Sequence, residues 1–183
     1  MNIPILHNSF TKHSFLKEKL LDLINSSHAE SLVDMQGYDR ISKVDWDQKD
    51  DWSRKWVQLL LPTLQEYFNA EIKKLGISDT KLSALWFQQY LKNDRHGWHI
   101  HGDTFTGVYY LEFDSKSPST EILEPITNKP INLKIKEGDI IIFPSLVIHR
   151  AIENKTSTRK TIISFNLCAQ NIEPNKLKEI QCT

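Results

Sequence analysis

Trp98-His99-Ile100-His101-Gly102-Asp103 is the stretch on which the reading of this chain turns. Two histidines at i and i+2 in an extended segment point to the same face of a strand. His99 and His101 could therefore reach one ion, with Asp103 just beyond if the strand continues into the turn. Downstream, His149 follows a turn at Pro144-Ser145 and lies in strand-like sequence, and Arg159 opens a further strand-like run, Lys160-Thr161-Ile162-Ile163-Ser164-Phe165-Asn166. Histidines and a carboxylate near one another, with a late third histidine, point to a facial metal site with open coordination positions. Arginine on a neighbouring strand suits a carboxylate gripped by two parallel hydrogen bonds. A redox metal beside a carboxylic-acid cosubstrate is the favoured reading. Imidazoles suit iron, zinc, copper and nickel alike, so ligand type does not choose the metal.

Around this stretch the apolar period is that of strands. Candidates are Leu82–Leu91, Thr106–Phe113, Glu121–Leu123, Ile131–Ile135, Asp139–Phe143, Val147–Ile152 and Thr158–Cys168. Turn signals such as Asn93-Asp94, Asn128-Lys129-Pro130 and Glu137-Gly138 separate them. Short strands at close spacing predict a sandwich or jelly-roll barrel. The first third reads as helical. Phe15, Leu16, Leu20, Leu23 and Ile24 recur at a period near 3.6, with Thr11 or Ser14 as candidate caps. Residues 27–50 read as a connection with little regular structure. A second helix runs from about Asp51 to Leu75 and stops at Gly76, with Pro62 expected to kink or split it. The fold class expected is mainly β with N-terminal helices around a double-stranded β-helix, jelly-roll or cupin-like core. It forms a single domain over 1–183, with a helical support region at 1–81 and the jelly-roll core at 82–170.

Composition sets outer bounds. With 23 basic and 23 acidic residues among 183, the formal net charge is zero. That removes a general electrostatic grip on nucleic acid or an anionic membrane. No apolar run is long enough to span a bilayer, and the N-terminus lacks the order of a signal peptide. Cys168 and Cys182 make neither a disulfide framework nor a thiolate zinc site. A cytoplasmic, reducing setting is the expectation, and it would keep iron ferrous. Homo-oligomerisation is left open.

Trp98-His99-Ile100-His101, Thr106-Gly107-Val108-Tyr109-Tyr110, Gly138 through Ser145, His149, and Arg159 through Asn166 occur in that order. This ordered set resembles the Fe(II)/2-oxoglutarate-dependent oxygenase superfamily, in particular its small oxygenases of bacteria and phages, over roughly residues 82–168. The resemblance implies a double-stranded β-helix holding Fe(II) and 2-oxoglutarate and consuming O2. It likens His149 to the distal iron ligand and Arg159 to the arginine that binds the far carboxylate of 2-oxoglutarate. Thr161 matches the hydroxyl that assists that arginine, and Tyr110 a tyrosine that bonds the cosubstrate. Tyr90 could line the same pocket. Either tyrosine could equally be core packing.

The pattern departs from the superfamily in one respect. Most members pair H-x-D or H-x-E; here His99 and His101 form H-x-H, while a shift by two gives His101-Gly102-Asp103. His99 with His101 is the preferred pair, and Asp103 stands as the alternative to His99. The activity implied is hydroxylation of a small molecule or of an amino-acid or peptide side chain, with release of succinate and CO2. Two other readings stay open: a cupin-type three-histidine enzyme without 2-oxoglutarate, and a non-catalytic jelly-roll binding module. Trp86, Phe87, Trp98 and Phe105 could offer the substrate an apolar wall or belong to the core.

Overall fold

The computed structural model describes residues 3–172; Cys182 and most of the polar C-terminal tail fall outside them. Among the described residues eleven strands lie in two antiparallel sheets, the larger in the order β1-β9-β6-β11-β4-β3-β2 and the smaller in the order β5-β10-β7-β8. In chain order the strands are β1 (Leu6–Ser9), β2 (Glu30–Val33), β3 (Arg40–Val44), β4 (Ile77–Tyr90), β5 (His96–His99), β6 (Phe105–Glu112), β7 (Thr120–Leu123), β8 (Pro130–Asn132), β9 (Asp139–Pro144), β10 (His149–Ala151) and β11 (Lys160–Ile172). The helices are α1 (His13–Ser26) and α2 (Lys55–Ile72).

Both faces of the large sheet are buried, against different partners. Leu16, Leu20 and Ile24 of α1 and Trp56, Leu60, Leu64 and Phe68 of α2 pack on Leu85, Phe87, Ile163, Phe165 and Leu167. This is the period-3.6 stripe of an amphipathic helix meeting one face of period-2 strands. The other face carries Trp86, Tyr90, Val108, Tyr110 and Ile162, which meet Ile122 and Ala151 of the small sheet. The helices thus stiffen the outside of the sheet, and the functional cavity lies between the sheets.

Several sequence expectations need correction. Phe15 is 86% exposed rather than part of the apolar stripe, and α1 begins after Lys12 with no side-chain cap from Thr11 or Ser14. Pro62 does not split α2, which runs unbroken across it. Gly76 does end the helical stretch, with a left-handed φ of 74°. Residues 27–50 hold β2 and β3, and β1 pairs with β9, so strands from the first 81 residues complete the large sheet. These strands are short and lie toward its edges, where the periodic signal is weak. The strand expected at His99 and His101 is β5, which starts earlier, at His96, and ends at His99.

Gly107 sits where β6 packs tightly between its neighbours β9 and β11 in the large sheet. A Cβ there would lie 2.2 Å from the Ile141 carbonyl oxygen and 2.5 Å from Phe165 Cζ. Only hydrogen fits at that position. Among the described residues no helix is long and apolar enough to cross a membrane.

Candidate metal centre

The site is built by one strand pairing. β5 and β10 run antiparallel with His99 directly opposite His149. His101 follows the end of β5, and its backbone N–H donates to the Ser145 carbonyl at 2.9 Å. Three ring nitrogens, one each from His99, His101 and His149, come within 4.8 Å of one another. The i, i+2 reading of His99 and His101 and the convergence of His149 from a separate strand are both seen in this arrangement.

The ring tautomers of two of them are set by the backbone. His99 Nδ1 donates to Gly97 O at 2.8 Å, and His149 Nδ1 donates to Val147 O at 2.9 Å. A carbonyl can only accept, so each Nδ1 carries the proton and each Nε2 keeps a free lone pair. Burial, reinforced by the neighbouring imidazole of His99, pushes His149 down to about 3 and His101 down to about 4. Burial lowers His99 as well. All three rings are therefore neutral at physiological pH, the state that binds metal.

Asp103 does not join them. Its Oδ1 accepts from the Cys168 thiol at 2.9 Å, and the converging set contains imidazoles alone. His96, overlooked in the sequence, stacks on His99 with ring centroids 4.0 Å apart and planes 23° apart. Asp39 Oδ1, on the turn between β2 and β3, accepts from Gly97 N–H at 2.8 Å and lies 3.9 Å from His96 Nε2. Asp39 thereby braces the same residue whose carbonyl orients His99.

A small cavity of about 30 Å³ opens from the three histidines, walled by Trp86, Gln88 and Tyr90 of β4, Thr120 of β7, and Ile162 and Ser164 of β11. Tyr90 lines it as expected. Its hydroxyl is buried and, among the described residues, lacks a hydrogen-bond partner. Tyr110 is fully buried nearby, and its hydroxyl donates to Thr120 Oγ1 at 2.8 Å. Of the aromatics offered as a wall, Trp86 lines the cavity, Phe87 and Phe105 belong to the core under the helices, and Trp98 is exposed.

Arg159 and Thr161 are not in this cavity, which corrects the expectation drawn from the resemblance. Arg159 lies on the helix side, where Nε and Nη2 donate to both oxygens of Glu112 at 2.7 and 3.2 Å and Nη1 donates to Asn25 of α1 at 3.1 Å. Thr161 donates to the same Glu112 at 2.7 Å. The reason is strand phase. In β11, Thr161, Ile163, Phe165 and Leu167 face the helices, so position 159 does too, and Lys160, Ile162, Ser164 and Asn166 face inward.

Lys160 is the cation that the inward phase delivers. It is 1% exposed, and its Nζ donates to Pro118 O at 3.1 Å and sits 4.5 Å from the ring centroid of Tyr90. Among the described residues no carboxylate pairs with it, and burial pushes its ammonium down to about 7. Sequence reading had a signal for it: the residues of β11 that share its phase include the polar Ser164 and Asn166, while those that share the phase of Arg159 are mostly large and apolar.

Solved structures share this architecture. A crystal structure of an oxidoreductase of the 2OG-Fe(II) oxygenase family from Burkholderia pseudomallei superposes with a TM-score of 0.71 at 12% identity, over 92% of this chain and 86% of that one. A Pseudomonas putida prolyl-4-hydroxylase gives 0.66 at 11% identity, over 93% and 95% of the two chains. The fold is that of the 2OG-Fe(II) oxygenases. The epimerase SnoN from nogalamycin biosynthesis, solved with Fe3+, alpha ketoglutarate and nogalamycin RO, gives 0.67 at 11% identity, over 91% and 79%. The expected double-stranded β-helix is thus the fold of this chain. No protein-family model matches the sequence and no curated protein matches it.

Proposed function

We propose that this protein is an Fe(II)- and 2-oxoglutarate-dependent dioxygenase that hydroxylates a small molecule or an amino-acid or peptide side chain. Its donor set fits the metal: three neutral imidazoles, two with their lone pairs aimed by backbone carbonyls, suit ferrous iron and leave positions for other ligands. When bound, iron and 2-oxoglutarate use O2 to insert one oxygen atom into a C–H bond, the other oxygen leaving in succinate as CO2 is lost. His99, His101 and His149 would hold the metal.

The observation that carries the proposal is Lys160. A fully buried ammonium without an anionic partner is costly, and this one stands over Tyr90, a wall of the same cavity as the histidines. A dicarboxylate chelated at the metal end would bring a carboxylate to it. Lys160 takes the role first assigned to Arg159, with the free Tyr90 hydroxyl and Thr120 as further donors. The like-folded SnoN, solved with alpha ketoglutarate, supports a cosubstrate of this kind. Trp86, Tyr90 and Ile162 exclude water around it. A reducing cytoplasmic setting, which keeps iron ferrous, fits the reading.

The test is succinate formation from 2-oxoglutarate by protein loaded with Fe(II) under air. Succinate that depends on the three histidines and on Lys160 is the expected result; none under any substrate mixture counts against it. One observation favours a second reading, a three-histidine enzyme without 2-oxoglutarate: the ligand set lacks a carboxylate. That reading leaves the ammonium of Lys160 without a use.

A further inference from the structure

A second cleft, of about 200 Å³, shares Trp86, Gln88, His96, His99 and His101 with the histidine cavity and so opens directly onto the ligand rings. Its remaining walls are Leu32 of β2, Ile41 and Val44 of β3, Trp46 and Ile100. Trp46 stands edge-on to Trp86, with centroids 4.5 Å apart and planes at 87°, so the two indoles form a corner beside His101. None of these wall residues is an Asp, Glu, Lys or Arg. Leu32, Trp46 and Ile100 are exposed at its rim, at 40%, 39% and 52%. Apolar surface left open beside a reactive centre marks a binding site.

Charged substrates have nowhere to go here. The basic groove past Trp98, lined by Arg95, Arg150 and Lys155, is separate from this cleft; the Nε of its Arg150 already donates to Glu121 at 2.5 Å and the guanidinium stacks 4.2 Å from the Trp98 ring. Lys160, which has no carboxylate partner among the described residues, stands over Tyr90, a wall of the histidine cavity and not of this cleft.

Resting on the oxygenase reading, we infer that this cleft takes the uncharged, apolar part of a small-molecule substrate, an aryl or branched alkyl group, and presents it to the metal ligands at His99 and His101. The corner of Trp46 and Trp86 selects flat or compact hydrocarbon, and the lack of ionised walls rejects any charged group at the reacting end, since a charge buried there would be unpaired.

The experiment uses the full chain loaded with Zn(II) and 2-oxoglutarate, and ligand-observed saturation-transfer NMR with three matched probes: indole, tryptamine and indole-3-acetate. Indole is expected to bind at least tenfold more tightly than either charged twin. Leu32→Glu, at a half-exposed edge position, is expected to weaken indole about tenfold while zinc content and 2-oxoglutarate affinity stay as they were. Equal binding of the three probes, or indole binding unmoved by Leu32→Glu, overturns the inference. A capped tripeptide containing tryptophan that binds tenfold tighter than indole also overturns it, in favour of a protein side chain. If the unaltered protein binds no 2-oxoglutarate, the oxygenase reading itself fails, and that outcome is seen separately from the probe ranking.

Discussion

Arg159 and Lys160 are consecutive in the chain and point to opposite faces of one sheet: the guanidinium is clamped on Glu112 on the helix side, the ammonium is buried over Tyr90 on the cavity side. Their substitutions should separate cleanly. Lys160→Met is expected to weaken 2-oxoglutarate binding by roughly ten- to a hundredfold, the loss of about 1.5–3 kcal/mol for a charge-assisted hydrogen bond. The same change should raise the melting temperature of the ligand-free protein, because it removes a buried ammonium without an anionic partner. Arg159→Met should leave 2-oxoglutarate affinity nearly unchanged and lower stability by about 1–2 kcal/mol. Calorimetric titration and thermal unfolding of both variants read these outcomes.

The depressed Lys160 gives the cosubstrate site a pH dependence. Its ammonium is pushed down to about 7 when folded, against roughly 10.4 in an unfolded chain. Between those values the unfolded state binds a proton that the folded state lacks, so this group's contribution makes stability rise with pH over that window. A carboxylate beside Lys160 restores the charged form. Binding of 2-oxoglutarate should therefore take up a proton above pH 7, and its affinity should fall as pH rises from about 7 toward 9. Titration calorimetry in buffers of differing ionisation enthalpy measures the uptake directly. An affinity flat across that range would show that Lys160 does not meet the dicarboxylate.

Metal retention should sort the candidate ligands. Replacing His99, His101 or His149 by alanine is expected to abolish stoichiometric metal in the purified, reloaded protein, while Asp103→Ala, which removes only the partner of Cys168, keeps it. Asp39→Ala should lower metal affinity by about 10- to 100-fold without touching a ligand, because it frees the Gly97 amide that helps hold the carbonyl bonded to His99. Elemental analysis and competition with a chelator measure both.

Gly107→Ala tests the packing of β6 against its neighbours within the large sheet. With the Ile141 carbonyl oxygen at 2.2 Å from the added carbon, β6 and β9 must separate, and the cost should be at least about 1–3 kcal/mol. Chemical denaturation compares the two proteins. A variant as stable as the parent would mean that the strands are free to shift.

Much of this was legible in the chain. The long strands β4, β6, β9 and β11 and the stripes of α1 and α2 show their period plainly, because each buries a continuous face. The three histidines were legible because i, i+2 spacing fixes a face regardless of neighbours. β1, β2 and β3 were missed because strands of four or five residues with mixed burial carry little periodic signal. Arg159 was assigned to the cavity from resemblance, when both faces of β11 are buried and only its phase distinguishes them. His96 and Asp39 gain their roles from a loop folding back over β5, a contact between distant positions that no local pattern records.

The most direct measurement is an anaerobic titration of 2-oxoglutarate into the Fe(II)-loaded protein, followed by the visible charge-transfer absorption of a 2-oxo acid chelated to ferrous iron. The account expects a saturable band at one equivalent in the parent, absent in His149→Ala and moved to much higher concentration in Lys160→Met. No band in the parent, or a titration in Lys160→Met that overlays the parent, would contradict it.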